Sequence, residues 1–428
     1  MTSWGRELPP GGQMTVPARD LIVFGATSFV GRLLTRYLFE EFGTHGDLAW
    51  AIAGRSETRL AELRQALGPK ASRLPLLVAD AADAAALGRL CDQTRVVTST
   101  VGPYALHGEP LVRACAESGT DYCDLTGEVQ WIRRMLDRYE AAARTSGARI
   151  VHCCGFDSIP SDLGVHFLQR EARKRFGGPC VQVRMRVKAM RGGASGGTIA
   201  SMMNLLEESA ANPELRKELA NPYSLCPAGH GARTRQAIVK FAEFDRDFDT
   251  WVAPFVMSAI NTRIVHRTNA ISQHAYGLDF RYDEAMMTGR GLQGRLAAAG
   301  LAAGLGGFMA AGAFGPTRWA LERFVLPAPG AGPSPATQRK GFFDLRFVGR
   351  TADGRELRTK VTGDRDPGYG STAKMLGQAG ACLALDLART RKHGGFWTPA
   401  ALLGDRLIAR LTARSGLDFE VIEGSTAT

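Results

Sequence analysis

Between Leu21 and Cys153 short apolar runs alternate with stretches of helical periodicity, the rhythm of strand, turn and helix repeated. Leu21 to Phe24 is the first run, and RLLTRYLFEEF after it has helical spacing. Leu48 to Ala53 is a second strand, Leu76 to Val78 a third, and Val96 to Val101 a fourth. HGEPLVRACAESG makes a helix with a glycine cap. Thr120 to Leu125 is a fifth strand, EVQWIRRMLDRYEAAARTSG a helix, and Arg149 to Cys153 a sixth strand. Strands alternating with helices at this spacing predict a doubly wound parallel sheet, an α/β Rossmann-type domain over residues 19–160.

After Asp162 the pattern changes. VQVRMRVKAM sets Val181, Val183, Met185 and Val187 against Gln182, Arg184, Arg186 and Lys188, the alternation of a half-buried antiparallel strand with a solvated basic face. FFDLRFVG and RELRTKVTG, joined through ADG, form an antiparallel hairpin. Residues 161–365 therefore predict a second α+β domain on a mostly antiparallel sheet. GGASGG (192–197) is either a hairpin loop or a flexible loop whose following helix start accepts a carboxylate or phosphate. The segment 296–317, LAAAGLAAGLGGFMAAGAFGPT, carries no charge and reaches the roughly 20 residues that cross a bilayer. Three readings stand: a buried or dimer-interface helix, a membrane-surface segment, and a span. Its Ala and Gly content makes a span the weakest reading, and peripheral membrane or apolar-substrate contact is preferred slightly over a purely internal helix. Residues 326–340 form a Pro- and Gly-rich linker, and 366–428 a C-terminal helical segment, amphipathic at YGSTAKMLGQAGACLALDLA, that packs back on the nucleotide domain.

The chain has 428 residues, 45% hydrophobic and 22% charged, which excludes a disordered or fully membrane-embedded protein. Its net charge of +11 favours anionic partners, but the arginines are dispersed and no RNP-type or zinc-finger motif accompanies them, so nucleic acid is not expected. Eight cysteines lack C-x-x-C spacing and read as reduced thiols of a cytoplasmic protein. Residues 1–18 lack the apolar stretch of a secretion signal and read as a disordered leader. No P-loop, G-x-S-x-G, H-E-x-x-H or acidic metal cluster is present, so no metal is expected.

The chemistry begins at Gly25-Ala26-Thr27-Ser28-Phe29-Val30-Gly31, which follows a strand and opens a helix. Gly25 allows the tight turn, Ser28 is small enough for a pyrophosphate to approach, Gly31 permits close packing, and the free amides of the helix start bind the anion. The second strand ends at Gly54, Arg55 and Ser56, a guanidinium and a hydroxyl where an NAD site would carry a carboxylate. That arrangement suits a 2′-phosphate, so NADP is the expected cofactor. Ligands sit beyond the carboxyl ends of parallel strands, which places Asp80 near adenine and Thr100, Val101, Gly102, Pro103 and Tyr104 near nicotinamide.

In order, GATSFVG, AGRS, STVGPYALHGEPLVRAC, YCDLTGE and CCGFDSIPSDLG resemble the saccharopine dehydrogenase-like oxidoreductases, and within them the trans-acting enoyl reductases. The likeness continues through SGGTIASM, PFVMSAINTRIVHRTNA and DPGYGSTAKMLGQAGACLAL. It implies a Rossmann domain, a second domain for substrate and homodimerisation, and a nicotinamide cofactor. It also implies reduction of a carbon–carbon double bond in a fatty acyl or polyketide chain, an acyl thioester borne by a carrier. A saccharopine-type amino acid dehydrogenase and an inert nucleotide-binding protein on a lipid surface are the rival readings.

Reduction of such a thioester needs a proton donor beside the nicotinamide. Tyr104 is the first candidate, with a stacked core tyrosine as the alternative; His107 and His152 follow. Asp157 and Ser158 either cap the next helix ahead of Pro160 or form a hinge, and Glu128 either orients ribose or opens a helix.

Overall fold

The computed structural model describes residues 17–192, 196–321, 323, 334–388 and 393–422. The apolar runs of the amino-terminal half are buried strands, as strands covered on both faces must be. In chain order they and their helices are β1 (Arg19–Phe24), α1 (Phe29–Phe42), β2 (Trp50–Gly54), α2 (Glu57–Ala66), β3 (Leu76–Val78), α3 (Ala84–Cys91), β4 (Thr94–Ser99), α4 (Tyr104–His107), α5 (Glu109–Ser118), β5 (Asp121–Asp124), α6 (Val129–Ser146) and β6 (Arg149–Val151). Every pairing among these strands is parallel. β4 stops two residues short of the expected Val101, and β6 stops at Val151 because Cys153 turns the chain with φ of 62°.

The second half contains α7 (Ile159–Phe176), β7 (Gln182–Arg191), α8 (Gly196–Ala211), α9 (Pro213–Ala220), β8 (Glu243–Asp245), β9 (Thr250–Pro254), α10 (Ser258–Ile271), β10 (Arg281–Gly289), α11 (Gly291–Ala313), α12 (Gly315–Ala320), α13 (Pro335–Arg339), β11 (Phe342–Arg350) and β12 (Glu356–Gly363). The C-terminal part adds α14 (Thr372–Ala381), β13 (Gly395–Trp397), α15 (Pro399–Leu402), α16 (Gly404–Arg414) and β14 (Leu417–Ile422). The second sheet runs β14-β12-β11-β7-β10-β9-β8, antiparallel except for β7 with β10.

Three expectations are corrected here. The basic face of β7 is only partly solvated: Lys188 is exposed, but Arg186 is 1% exposed and its guanidinium bonds Asp245 of β8 and Asp283 of β10, each at 2.6 Å. The C-terminal segment is not merely helical, because β13 pairs with β6 and completes the parallel sheet in the order β13-β6-β5-β4-β1-β2-β3, while β14 pairs with β12. α14 is buried nearly all round rather than amphipathic; Gly377 faces Tyr37 and Leu34 of α1, and Gly380 lets the helix approach Thr98 and Leu21. This helix welds the end of the chain onto the nucleotide sheet. All eight cysteines are buried and free. The leader up to residue 16, residues 193–195 of the Gly-rich loop and residues 326–333 of the linker lie outside the described residues.

Candidate active site

The loop after β1 is built for close approach. Gly25 has φ of +83°, and a Cβ there would lie 2.6 Å from Val101 Cγ2. A Cβ on Gly31 would lie 2.2 Å from the Gly25 carbonyl oxygen, so the turn of α1 closes only around glycine. Ser28 caps α1, its Oγ accepting from the Gly31 amide at 2.9 Å and bonding Thr100 Oγ1 at 3.0 Å. Thr100 in turn donates to the Gly25 carbonyl at 2.9 Å, tying the loop after β4 to the loop after β1. Among the described residues the amides of Thr27, Phe29 and Val30 find no acceptor in the chain. Those amides, at the positive end of α1, form an anion seat.

A cleft of about 850 Å³ opens over this seat. Of the residues expected to hold a cofactor, Gly25, Thr27, Ser28, Phe29, Arg55, Asp80, Thr100, Val101 and Gly102 line it. Ala26, Val30, Gly31, Ser56 and Pro103 do not, although Val30 offers its amide and Ser56 caps α2 by accepting from the Arg59 amide. His107 also lines the cleft and is exposed. The sequence reading missed Arg32 and Arg59, which line it as well. Arg59 stands four residues after Arg55 at the start of α2, a spacing that was readable and puts the two cations on one side of the helix start. Among the described residues no carboxylate pairs with Arg55 or Arg59, and Arg32 bonds only the Thr27 carbonyl, at 2.9 Å. Free amides, a glycine cradle that any Cβ would fill and unneutralised guanidiniums at the end of β2 fit a dinucleotide carrying a further phosphate.

Tyr104 and His152 are not at the cleft. The Tyr104 side chain turns inward, 4% exposed, packed on Trp131 with its hydroxyl donating to the Ser99 carbonyl at 3.0 Å. Burial and the nearby Asp124 push that phenol well above its ordinary range, which makes it a poor acid. His152 is 3% exposed, its Nδ1 2.7 Å from Asp124 Oδ2 and its ring between Trp131 and Phe396. Asp124 also accepts from the Tyr122 hydroxyl and from the amides of Thr126 and Cys153. The pair therefore shapes the ends of β5 and β6 from within. Glu128 opens no helix by side-chain capping of its own; its two oxygens accept from the amides of Tyr104 and Ala105, each at 2.9 Å, and Ser201 of α8 donates to it at 2.7 Å.

Asp157 has the acidity sought in a proton donor, although like Tyr104 and His152 it is not among the residues that line the cleft. It lies just beyond the end of β6, its carboxyl facing Gly127 after β5 and Gly155, where a Cβ would stand 3.5 and 3.2 Å from its oxygens. The residue is half-buried, and its carboxyl has no side-chain hydrogen-bond partner among the described residues. Loss of solvent, with Asp124 adding repulsion, pushes its pKa up to about 7. Ser158 occupies the cap position of α7 without capping it, because its hydroxyl donates to Asn261 of α10 at 3.1 Å.

The family described as the saccharopine dehydrogenase NADP binding domain matches residues 21–151. A Mycobacterium tuberculosis relative is 40% identical over 414 residues, covering 92% of this chain and 95% of that protein. A trans-acting enoyl reductase of Mycobacterium ulcerans is 38% identical over 409 residues with the same coverage. Saccharopine dehydrogenase (L-Glu forming) of Saccharomyces cerevisiae has the same fold, with a TM-score of 0.54 at 13% identity over 95% of this chain and 100% of that one. The chain belongs to the saccharopine dehydrogenase-like family, in the branch of the trans-acting enoyl reductases. Its amino-terminal domain is the NADP-binding domain of that family.

Proposed function

We propose that this protein uses NADPH to reduce a carbon–carbon double bond conjugated to the thioester of an acyl or polyketide chain. The observation that carries the reading is identity of 37–40% over nearly the whole length with relatives of that branch, joined to an anion seat and free guanidiniums in the cleft. The bound reduced nicotinamide supplies hydride to the carbon β to the thioester carbonyl. The Thr27, Phe29 and Val30 amides hold the diphosphate, while Arg55 and Arg59 hold the extra phosphate, fixing the far end of the dinucleotide. The electron pair passes to the thioester oxygen, and the α-carbon then needs a proton. Asp157 carries that proton at neutral pH, because its enclosed carboxyl stays protonated up to about pH 7. Only the protonated form donates, so turnover is present below about pH 7 and falls as pH rises through that value.

Two measurements test this. Enoyl thioesters of increasing chain length with deuterated NADPH should give product labelled at the β-carbon; turnover of amino acid adducts but of no enoyl thioester would sink the reading. Asp157→Asn should lower kcat by about 100-fold or more and flatten the alkaline fall, with NADPH affinity unchanged. A variant that keeps the wild-type pH profile would remove Asp157 from the reaction.

A further inference from the structure

α11 touches the rest of the protein along one narrow line. Gly294, Ala298 and Gly312 are buried and Ala302, Leu305 and Phe308 half-buried, positions three or four residues apart on one face. The rest of the circumference faces outward and carries no charge between Arg295 and Arg318. Leu292, Leu296, Leu301, Met309 and Phe314 are 42–70% exposed. Leu292 and Leu296 lie opposite the contact line, and Phe314 follows the last turn. The helix is long and apolar enough to cross a membrane, yet it is held along its length. Its first half lies against β9 and β10, the Thr288 hydroxyl donates to the Gly294 carbonyl at 2.8 Å, and Gly312 sits against Leu206 and Met203 of α8. A helix so attached lies in an interface rather than through it.

The flanks favour an anionic surface. From Ala285 to Leu321 the chain has Arg290, Arg295 and Arg318 and no Asp or Glu. Arg295 stacks over Trp251. Arg290 and Arg318 pair with Asp249 and Glu207, whose side chains are exposed, and lipid phosphates can replace such pairs. Trp319, 62% exposed, stands with Phe314 at the far end, the aromatic placement of a membrane–water boundary.

We propose that α11 docks this protein on an anionic bilayer surface, lying in the plane of the interface with Leu292, Leu296 and Phe314 among the acyl chains and the arginines on the headgroup phosphates. Ser201 of α8, against which it ends, donates to Glu128, whose oxygens hold the amides of Tyr104 and Ala105.

The test is co-sedimentation of the full chain with vesicles of phosphatidylcholine containing about one-third phosphatidylglycerol, and with phosphatidylcholine alone. The wild type should pellet with the anionic vesicles and be released by high salt. The double variant Leu296→Glu, Phe314→Glu should partition about 10-fold or more less well, with NADPH affinity unchanged as the check on its fold. A wild type that stays in solution overturns the proposal, as does pelleting indifferent to the two substitutions. Light scattering that finds a wild-type dimer, converted to monomer by the variant with no vesicle binding in either, would assign the face to a second copy of the chain and also overturn it.

Discussion

In the second sheet Arg186 is committed, shut from solvent between Asp245 and Asp283, whereas at the end of β2 Arg55 and Arg59 face an open cleft with no carboxylate paired to either among the described residues. Both regions look equally basic in the sequence. Only the fold reveals which cations are neutralised within the chain and which are left for a ligand. A buried arginine with two carboxylates holds strands β8, β7 and β10 together; an arginine at a helix start beside free amides is a binding group.

The largest effect should come from breaking the committed side. Arg186→Met leaves the buried Asp245 and Asp283 with only the more distant Arg184, at 4.0 and 3.6 Å, to offset them, at a cost of about 3 kcal/mol, read as a fall in Tm. NADPH affinity of the folded fraction should stay the same, and a parallel loss of affinity would mean that the two sheets are not independent in this respect. The open side should respond in the opposite sense. Arg55→Ala and Arg59→Ala should each weaken NADPH by about 1.5–3 kcal/mol, roughly 10-fold to 100-fold in Kd, with little change for NADH or Tm. Equal weakening of NADH would move these guanidiniums off the extra phosphate. The smallest effect belongs to Tyr104. Tyr104→Phe removes the hydrogen bond donated to the Ser99 carbonyl and the longer one accepted from the Leu125 amide, and should cost about 1 kcal/mol of stability with kcat nearly unchanged. A kcat lower by two orders of magnitude would return Tyr104 to the reaction.

What was legible follows from what is local. The turn at Gly25, the cap at Ser28 and the start of α1 are set within seven residues, so the sequence displays them. The end of β4 was also placed nearly correctly, but the direction of the Tyr104 side chain depends on Trp131 of α6 and on Glu128 fixing the first amides of α4. Neither partner is near in sequence. Asp157 was visible as a residue of a capping motif; its raised pKa comes from Asp124 and from enclosure by β5 and β6, which no spacing encodes. β13 was invisible for a related reason. Gly395, Phe396 and Trp397 form too short a run to read as a strand, and become one because Arg149, Ile150 and Val151 present an open parallel edge.

The return of the chain's end to both sheets bears on its biosynthesis. β6 lacks its neighbour until Trp397 has been translated, and β12 lacks its own until Ile422 has. A ribosome-bound nascent chain thus carries the outer edge of β6 open from Val151 to Trp397 and that of β12 open from Gly363 to Ile422, each a template for mispairing. The parallel sheet is complete only at Trp397, so a message truncated ahead of that point should yield aggregates rather than a working amino-terminal module.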